Sequence, residues 1–154
     1  MTKFIPQIDL TNCPWDDALK SELAGATENG CVGSTLVSEN ERVRIWHFRL
    51  HPGARCSFHT HVLDYFWTCL SGGRARSYIC ENSKYKVTEF ELKPGSTRYE
   101  SFAKGEFKTH NLENTGDIEL VFVTVEFLQS ANEPLPVPDG VRLSEHDGAV
   151  DIIQ

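Results

Sequence analysis

The feature that most constrains the fold is a change of pattern at Ser34, after which apolar and polar residues follow a period of two. The segments that follow are short and rich in β-branched and aromatic residues, and turn signals such as Pro-Gly and Gly-Gly separate them. These segments are 34–38, 42–51, 56–61, 64–71, 75–80, 84–92, 96–102, 107–113 and 118–128. Many short strands without a long helical pattern between them predict an all-β sandwich or barrel.

The two ends of the chain are expected to be arms on one barrel, because 154 residues make one ordinary domain. We predict an N-terminal arm over 1–33, a barrel over 34–130 and a C-terminal tail over 131–154. The arm contains a predicted short helix with Pro14 at its start. Apolar residues recur there at every fourth position: Trp15, Leu19 and Leu23. Three prolines prevent the tail from continuing a central strand, so we expect it to wrap the barrel or a neighbouring subunit.

Charge and cysteine content exclude several classes of protein. The formal net charge is -7 and the isoelectric point is about 5.3, which argues against nucleic acid as the main partner. The apolar runs are only as long as strands, so no membrane span is predicted, and the N-terminus lacks the apolar core of a secretory signal. Five scattered cysteines without a C-x-x-C pair are typical of reduced thiols. We therefore expect a cytoplasmic protein that acts on a small molecule.

Three histidines on predicted strands indicate a metal site. His59 and His61 are separated by one residue, so on an extended segment their side chains project from the same face. Neutral imidazole is the commonest metal-binding side chain, since one ring nitrogen keeps a lone pair. His110 lies on a distant predicted strand. If it reached the first two, the set would hold an ion by three nitrogens and leave positions open for water or substrate.

The spacing of these residues resembles that of the cupins, which are double-stranded β-helix barrels of the RmlC-like jelly-roll type. Their first motif is usually written G-x5-H-x-H-x3-E-x6-G, and here Gly53, His59, His61 and Gly72 are in register. Their second motif is G-x5-P-x-G-x2-H-x3-N, which this chain matches in part, with Gly95, His110 and Asn114. The run from 43 to 127 further resembles small single-domain cupins described as β-alanine-degradation proteins. The resemblance implies a jelly-roll barrel with a short N-terminal helix and an extended C-terminal tail.

The chain departs from the cupin pattern at two places. The second motif lacks its proline, and counting from Gly95 leads to Glu106, so Glu106 is a rival to His110 as the third ligand. Tyr65 stands where the cupins have a glutamate, and we expect it to act as a catalytic group that contacts substrate or dioxygen. Two other roles for Tyr65 stay open, an aromatic in the barrel wall and a direct ligand. Asp64 should point away from the site.

The resemblance implies a divalent metal ion, Fe(II), Zn, Mn or Ni, held by His59, His61 and His110. It also implies an enzyme of the dioxygenase type that acts on a small carboxylate- or carbonyl-containing metabolite, or a lyase or isomerase if the metal is not iron. The alternative is a non-catalytic, small-molecule-binding or regulatory cupin. A homodimer is expected, with the arms crossing between subunits.

Several other residues share the predicted face of Tyr65 or carry a charge suited to substrate. Trp67 and Cys69 have the parity of Tyr65, so both either line the cavity or belong to the ordinary core, and the core is the more frequent role for such residues. An arginine could hold a substrate carboxylate in a forked pair. The candidates are Arg44, Arg49 and Arg98. Both faces of the strand over 42–51 are of mixed polarity, so its inward face stays open.

Overall fold

The computed structural model describes residues 4–143, and all nine predicted strands are present in it. The strands are β1 Thr35–Glu39, β2 Val43–Leu50, β3 Arg55–His61, β4 Tyr65–Cys69, β5 Gly73–Glu81, β6 Lys84–Leu92, β7 Thr97–Glu100, β8 Lys108–Asn114 and β9 Leu120–Phe127. One helix, α1, covers Asp17–Ala24, and a short 3-10 helix covers Asp139–Val141. Over residues 4–143, no helix is long and apolar enough to cross a membrane.

The strands form two antiparallel sheets that enclose the core. One sheet has the order β1-β2-β9-β4-β7 and the other has the order β3-β8-β5-β6. Consecutive strands alternate between the two sheets over much of the chain, which is the connectivity of a jelly roll. The predicted fold class is therefore confirmed. The boundaries of the three predicted segments stay predictions.

Strand β2 shows the predicted alternation of buried and more exposed side chains. Its even-numbered residues are buried and its odd-numbered residues are more exposed. The inward face is therefore the one that carries Arg44, Trp46, Phe48 and Leu50. This settles the face that the sequence left open. Arg44 is inward because its guanidinium is satisfied, donating to Glu39 at 2.6 Å and to the Leu135 carbonyl at 3.0 Å.

The N-terminal helix begins three residues after Pro14, so the prediction that Pro14 occupies its first position is wrong. Asp16 is the residue before the helix, and its carboxylate accepts from the Leu19 amide at 2.9 Å. A side-chain cap satisfies a free amide of the first turn, which fixes the start of the helix more tightly than proline does. Trp15 therefore lies outside the helix. Its ring stacks on Phe58, so the arm covers the outer face of the four-stranded sheet.

The C-terminal tail wraps its own barrel as far as residue 143. The Asn132 side-chain amide donates to the carbonyls of Val62 and Ala103, and the Leu143 amide donates to the Leu36 carbonyl. The expected wrapping is confirmed for this part of the tail, and the rest of it, 144–154, lies outside the described residues. The homodimer stays a prediction.

Two glycines of the first motif have positive φ angles, a backbone region that L side chains rarely adopt. Gly53 has φ +80° and lies in the turn before β3, with open space where a Cβ would stand. Gly72 has φ +70° before β5, and a Cβ there would lie 2.8 Å from the Pro94 Cδ. Gly53 is therefore required only for its backbone angle, whereas Gly72 is required for its backbone angle and for lack of space.

We predict that Gly53→Ala lowers the free energy of unfolding by about 1 kcal/mol, through backbone strain alone. Gly72→Ala should cost about 1–3 kcal/mol more, because the methyl group also collides with Pro94. Guanidinium unfolding midpoints measure both values. Equal losses for the two variants would contradict the steric explanation.

One buried carboxyl makes stability depend on pH. Burial raises the pKa of Glu126 to about 7, and its Oε1 accepts from the Trp46 indole N–H at 2.7 Å. Between the ordinary glutamate pKa and this raised value, the folded protein keeps a proton that the unfolded chain has lost. The free energy of unfolding therefore falls as pH rises through that window.

We predict that Glu126→Gln removes this loss, which is on the order of 3 kcal/mol between pH 4.5 and pH 7. Glutamine keeps an oxygen that can accept from Trp46. Urea unfolding measured at a series of pH values provides the test. The control is Glu133→Gln, which makes the same charge change on an exposed side chain and should leave the pH slope unchanged.

Candidate metal centre

The pairing of β3 with β8 brings the three histidines together. His59 is the register partner of His110 across the ladder, and His61 follows on the same face of β3. One potential ligand nitrogen of each ring lies within 4.8 Å of the other two. The structure thus unites the pair predicted from local spacing with the distant third residue.

Hydrogen bonds at the far sides of two rings set their orientation. The Nδ1 of His59 lies 3.1 Å from the Ser57 carbonyl, so Nδ1 carries the proton and Nε2 keeps its lone pair. The Nδ1 of His110 lies 3.4 Å from the Ser77 Oγ, and that hydroxyl donates to the Asn111 carbonyl at 2.6 Å. Partners of this kind fix ring orientation in metal sites.

Burial keeps all three rings neutral near pH 7. Desolvation lowers the pKa of His59 to about 4 and holds the pKa values of His61 and His110 well below the usual histidine value. The positive charge of Lys108 adds to this effect on all three. Neutral imidazole is the form that binds a metal ion, so the donor set has the right chemistry.

The spacing within the cluster also fits an ion. The Nε2 atoms of His61 and His110 are 3.0 Å apart. Two nitrogens that bind one ion at about 2.1 Å and at a right angle lie about 3 Å from each other. The buried Nδ1 of His61 has no hydrogen-bond partner among residues 4–143, which leaves this ring without the anchor that the other two possess. The three histidines form a group that could hold a divalent metal ion.

Glu106, the rival third ligand, lies outside the cluster. It is exposed, and its Oε1 accepts from the Ala103 amide at 3.0 Å within a turn before β8. The longer loop places Glu106 in this turn and delivers His110 to the strand. His110 is therefore the third member of the cluster.

Tyr65 lies against the histidines without joining them. Its ring stacks on the His61 ring at a centroid distance of 3.9 Å and an angle of 14°. Its hydroxyl is buried and has no hydrogen-bond partner in the described part of the chain. Burial raises the pKa of Tyr65 well above the usual tyrosine value, so the group is a neutral O–H donor. Asp64 points elsewhere, as predicted, and accepts from the Phe102 amide.

The histidines and Tyr65 line a cavity of about 150 Å³ between the two sheets. The rest of its wall is largely apolar and includes Phe48, Trp67, Phe90, Leu112 and Phe122. Trp67 lines the cavity, as its parity allowed. Cys69 takes the other role that the sequence left open, since it is fully buried in the core with Leu50 and Leu120.

The sequence analysis missed an ion pair in the cavity wall. The Nζ of Lys108 lies 3.1 Å from the Glu100 carboxylate and 5.3 Å from the centre of the Tyr65 ring. Burial lowers the pKa of Lys108, although the Glu100 charge opposes the shift. The available signal was parity, because Lys108 precedes His110 by two positions on the same strand and so shares its face.

Comparison with known proteins gives structural neighbours only. No family model matches the chain, and no curated protein matches it. Among solved structures, the chain is similar to a cupin domain from Bordetella pertussis, with 27% identity over 58% of this chain and 85% of that one (TM-score 0.48). It is similar to a double-stranded β-helix protein from Klebsiella pneumoniae, with 20% identity over 74% and 90% (TM-score 0.47).

A third neighbour is the oxalate decarboxylase of Bacillus subtilis, a protein with Mn(II) centres. The identity is 24%, the match covers 55% of this chain and 21% of that one, and the TM-score is 0.44. The neighbours are thus cupin and double-stranded β-helix domains. The resemblance to β-alanine-degradation proteins finds no counterpart among these three structures.

We predict that Tyr65→Phe leaves the free energy of unfolding of the metal-free protein unchanged or raises it by up to about 1 kcal/mol. The reason is that a buried hydroxyl without a partner costs about 1–3 kcal/mol of desolvation. Tyr85→Phe is the control, because its hydroxyl donates to the Asp9 carbonyl and its removal should destabilise by about 1 kcal/mol. Urea unfolding compares the two. A loss above about 2 kcal/mol for Tyr65→Phe would mean that the hydroxyl stabilises the fold.

Proposed function

We propose that this protein binds one divalent metal ion through His59, His61 and His110 and is a metal-dependent enzyme for a small carboxylate- or carbonyl-containing metabolite. The observation that carries the proposal is the convergence of three neutral imidazoles, two buried and one half-buried, in the wall of a cavity. The Nε2 atoms of His61 and His110 face each other at 3.0 Å, and one nitrogen of His59 lies within 4.8 Å of a nitrogen on each of the other two rings. A cation satisfies all three lone pairs at once.

When bound, an Fe(II) ion would supply a site for dioxygen beside the substrate, whereas Zn(II), Mn(II) or Ni(II) would supply Lewis-acid activation. The remaining parts of the mechanism belong to the chain itself. Ser57 and Ser77 hold two of the imidazole rings in orientation through their Nδ1 atoms. The aromatic side chains of the wall make the space beside the cluster largely apolar.

Tyr65 would be the catalytic group that contacts the substrate. Its hydroxyl is protonated and buried in the cavity wall, and its ring is fixed between His61 and Phe102. A hydroxyl held in this way can donate a hydrogen bond to a substrate oxygen with little reorganisation. The absence of a protein acceptor within residues 4–143 leaves that donor available.

Dioxygenase-type chemistry stands first because the three nitrogens leave several positions of the ion for substrate and dioxygen together. A lyase or isomerase reaction follows if the resident metal is not iron. A non-catalytic binding protein would have the same ion and cavity without turnover. A dioxygenase would consume oxygen and form product, a lyase or isomerase would form product without oxygen uptake, and a binding protein would do neither.

We predict about one equivalent of metal per chain after anaerobic purification, measured by elemental analysis. His59→Ala should reduce the retained metal at least tenfold, because two imidazoles bind far more weakly than three. The matched control is His51→Ala, which removes an exposed histidine from outside the cluster. Glu106→Ala is a second control. Full metal content in His59→Ala would contradict the site.

The reaction class is tested by oxygen uptake with small β-amino, β-keto and thiol acids. For an iron protein we expect uptake that depends on substrate and is lost in His59→Ala. For Tyr65→Phe we expect the same metal content and at least a tenfold lower rate, because only the donor to the substrate is removed. A bound ion with no turnover of any substrate would favour the binding protein.

A further inference from the structure

Arg98 is one of the cations that line the cavity. It projects from β7 and is exposed to solvent while also lining the cavity, so it stands where the cavity opens. Within residues 4–143 it takes part in no salt bridge, whereas the other arginine candidates do. Arg44 is held by Glu39, and Arg49 lies on Glu119 outside the cavity.

Two aromatic rings of the cavity wall hold the Arg98 guanidinium. Its central carbon lies 6.0 Å from the centroid of the Trp67 ring and 5.8 Å from that of Phe90. Contact with ring faces is favourable for a cation and leaves the N–H groups at the edge of the guanidinium free. Those groups form a planar fork that matches the two oxygens of a carboxylate.

The cavity therefore offers both polar and apolar contacts to an occupant. The histidines and Tyr65 form one polar part of the lining, Arg98 is opposite Trp67 on the neighbouring strand β7, and apolar side chains such as Phe48 and Phe122 line other parts of the wall. A volume of about 150 Å³ is similar to that of an engineered apolar cavity that binds benzene. An occupant of about six to ten non-hydrogen atoms fits this space.

We infer that Arg98 determines substrate specificity by pairing with the carboxylate of the substrate. This inference rests on the proposed function, and it narrows the substrate class. The substrate is a small monocarboxylic acid with an apolar middle and a metal-binding group at the opposite end. The carboxylate lies on Arg98 at the opening, and the other end reaches the histidines.

The other charges of the cavity favour a carboxylate over a phosphate. Glu81 and Glu100 line the same cavity, and only Glu100 is paired, with Lys108. A phosphate carries close to two negative charges and is repelled more strongly by these acids than a carboxylate is. Lys86 also lines the cavity, but among residues 4–143 its ammonium group has no aromatic ring contact of the kind that Arg98 has.

The test uses Zn(II)-loaded protein and a series of alkyl hydroxamates whose far end is a carboxylate, with spacers of two to six methylene groups. The hydroxamate occupies the metal, and each acid is compared with the analogue that ends in a methyl group. At the best spacer length we expect the acid to bind about tenfold more tightly than its methyl analogue by calorimetry. The phosphonate counterpart should bind less tightly than the acid.

Arg98→Gln should abolish the preference for the acid and leave the affinity of the methyl analogue unchanged. Arg98→Lys should restore only part of the preference, because the charge returns without the fork. Arg74→Gln is the matched control, since it removes an exposed arginine that does not line the cavity. Loss of the preference in Arg74→Gln to the same extent, or in Lys86→Gln instead of Arg98→Gln, would overturn the inference.

A second measurement separates this inference from the proposed metal site. If the protein retains no zinc, hexanoate and hexanamide are compared on the metal-free protein by NMR titration. A preference for hexanoate that disappears in Arg98→Gln supports the role of Arg98 although the metal site has failed. Equal binding of the two compounds, or a preference that survives Arg98→Gln, overturns it.

Discussion

Backbone hydrogen bonds between β3 and β8 place His59 opposite His110, and the pleat of β3 carries His61 to the same face. The register contains one extra residue in β3 between Cys56 and His59. Such a bulge changes the parity of a strand, so Cys56 and His59 both line the cavity although their numbers differ by three. A slip of one residue in this ladder would turn the histidines to the outer face and dissolve the cluster.

Some buried polar groups inside this barrel have a partner that offsets the cost of burial, and others have none. Lys108 stays within the wall because Glu100 pairs with it, and Glu126 is stabilised by the Trp46 indole N–H and by keeping its proton. Elsewhere in the described interior, three side-chain atoms have no hydrogen-bond partner: the His61 Nδ1, the Tyr65 hydroxyl and the Asn111 Nδ2. Two of these side chains, His61 and Tyr65, line the cavity. A buried polar atom without a partner calls for an explanation, and for the Tyr65 hydroxyl the proposed substrate would supply one.

The sequence predicted what depends on local alternation. All nine strands, the shared face of His59 and His61, and the outward direction of Asp64 follow from the period of two. The third ligand was harder, because the spacing of the second motif led to Glu106 whereas the longer loop shifts the ladder residue to His110. The register between two strands that are far apart in sequence cannot be predicted from the residues of either strand alone.

Other features could not be predicted because they depend on the closed shape of the barrel. Parity gave Trp67 and Cys69 the same face, but only the packing around each side chain shows that Trp67 lines the cavity and Cys69 belongs to the core. The sequence also gave three equivalent arginines, and the packing of Arg98 between two rings distinguishes it from the others. The start of α1 was misplaced because the Asp16 cap outweighs the preference of Pro14.

Tyr65, at the position where the cupin motif has glutamate, leaves the three histidines without a carboxylate in their cluster. Glu100, the register partner of Tyr65 on β7, lines the cavity and is paired with Lys108. An ion on three neutral imidazoles would therefore keep its full charge, which lowers the pKa of bound water and attracts anions. The net charge of -7 opposes anions at a distance, but salt screens exposed charges beyond about 8 Å. Within the cavity the local charges decide, and a bound ion together with the lining cations Lys86, Arg98 and Lys108 would attract an anion.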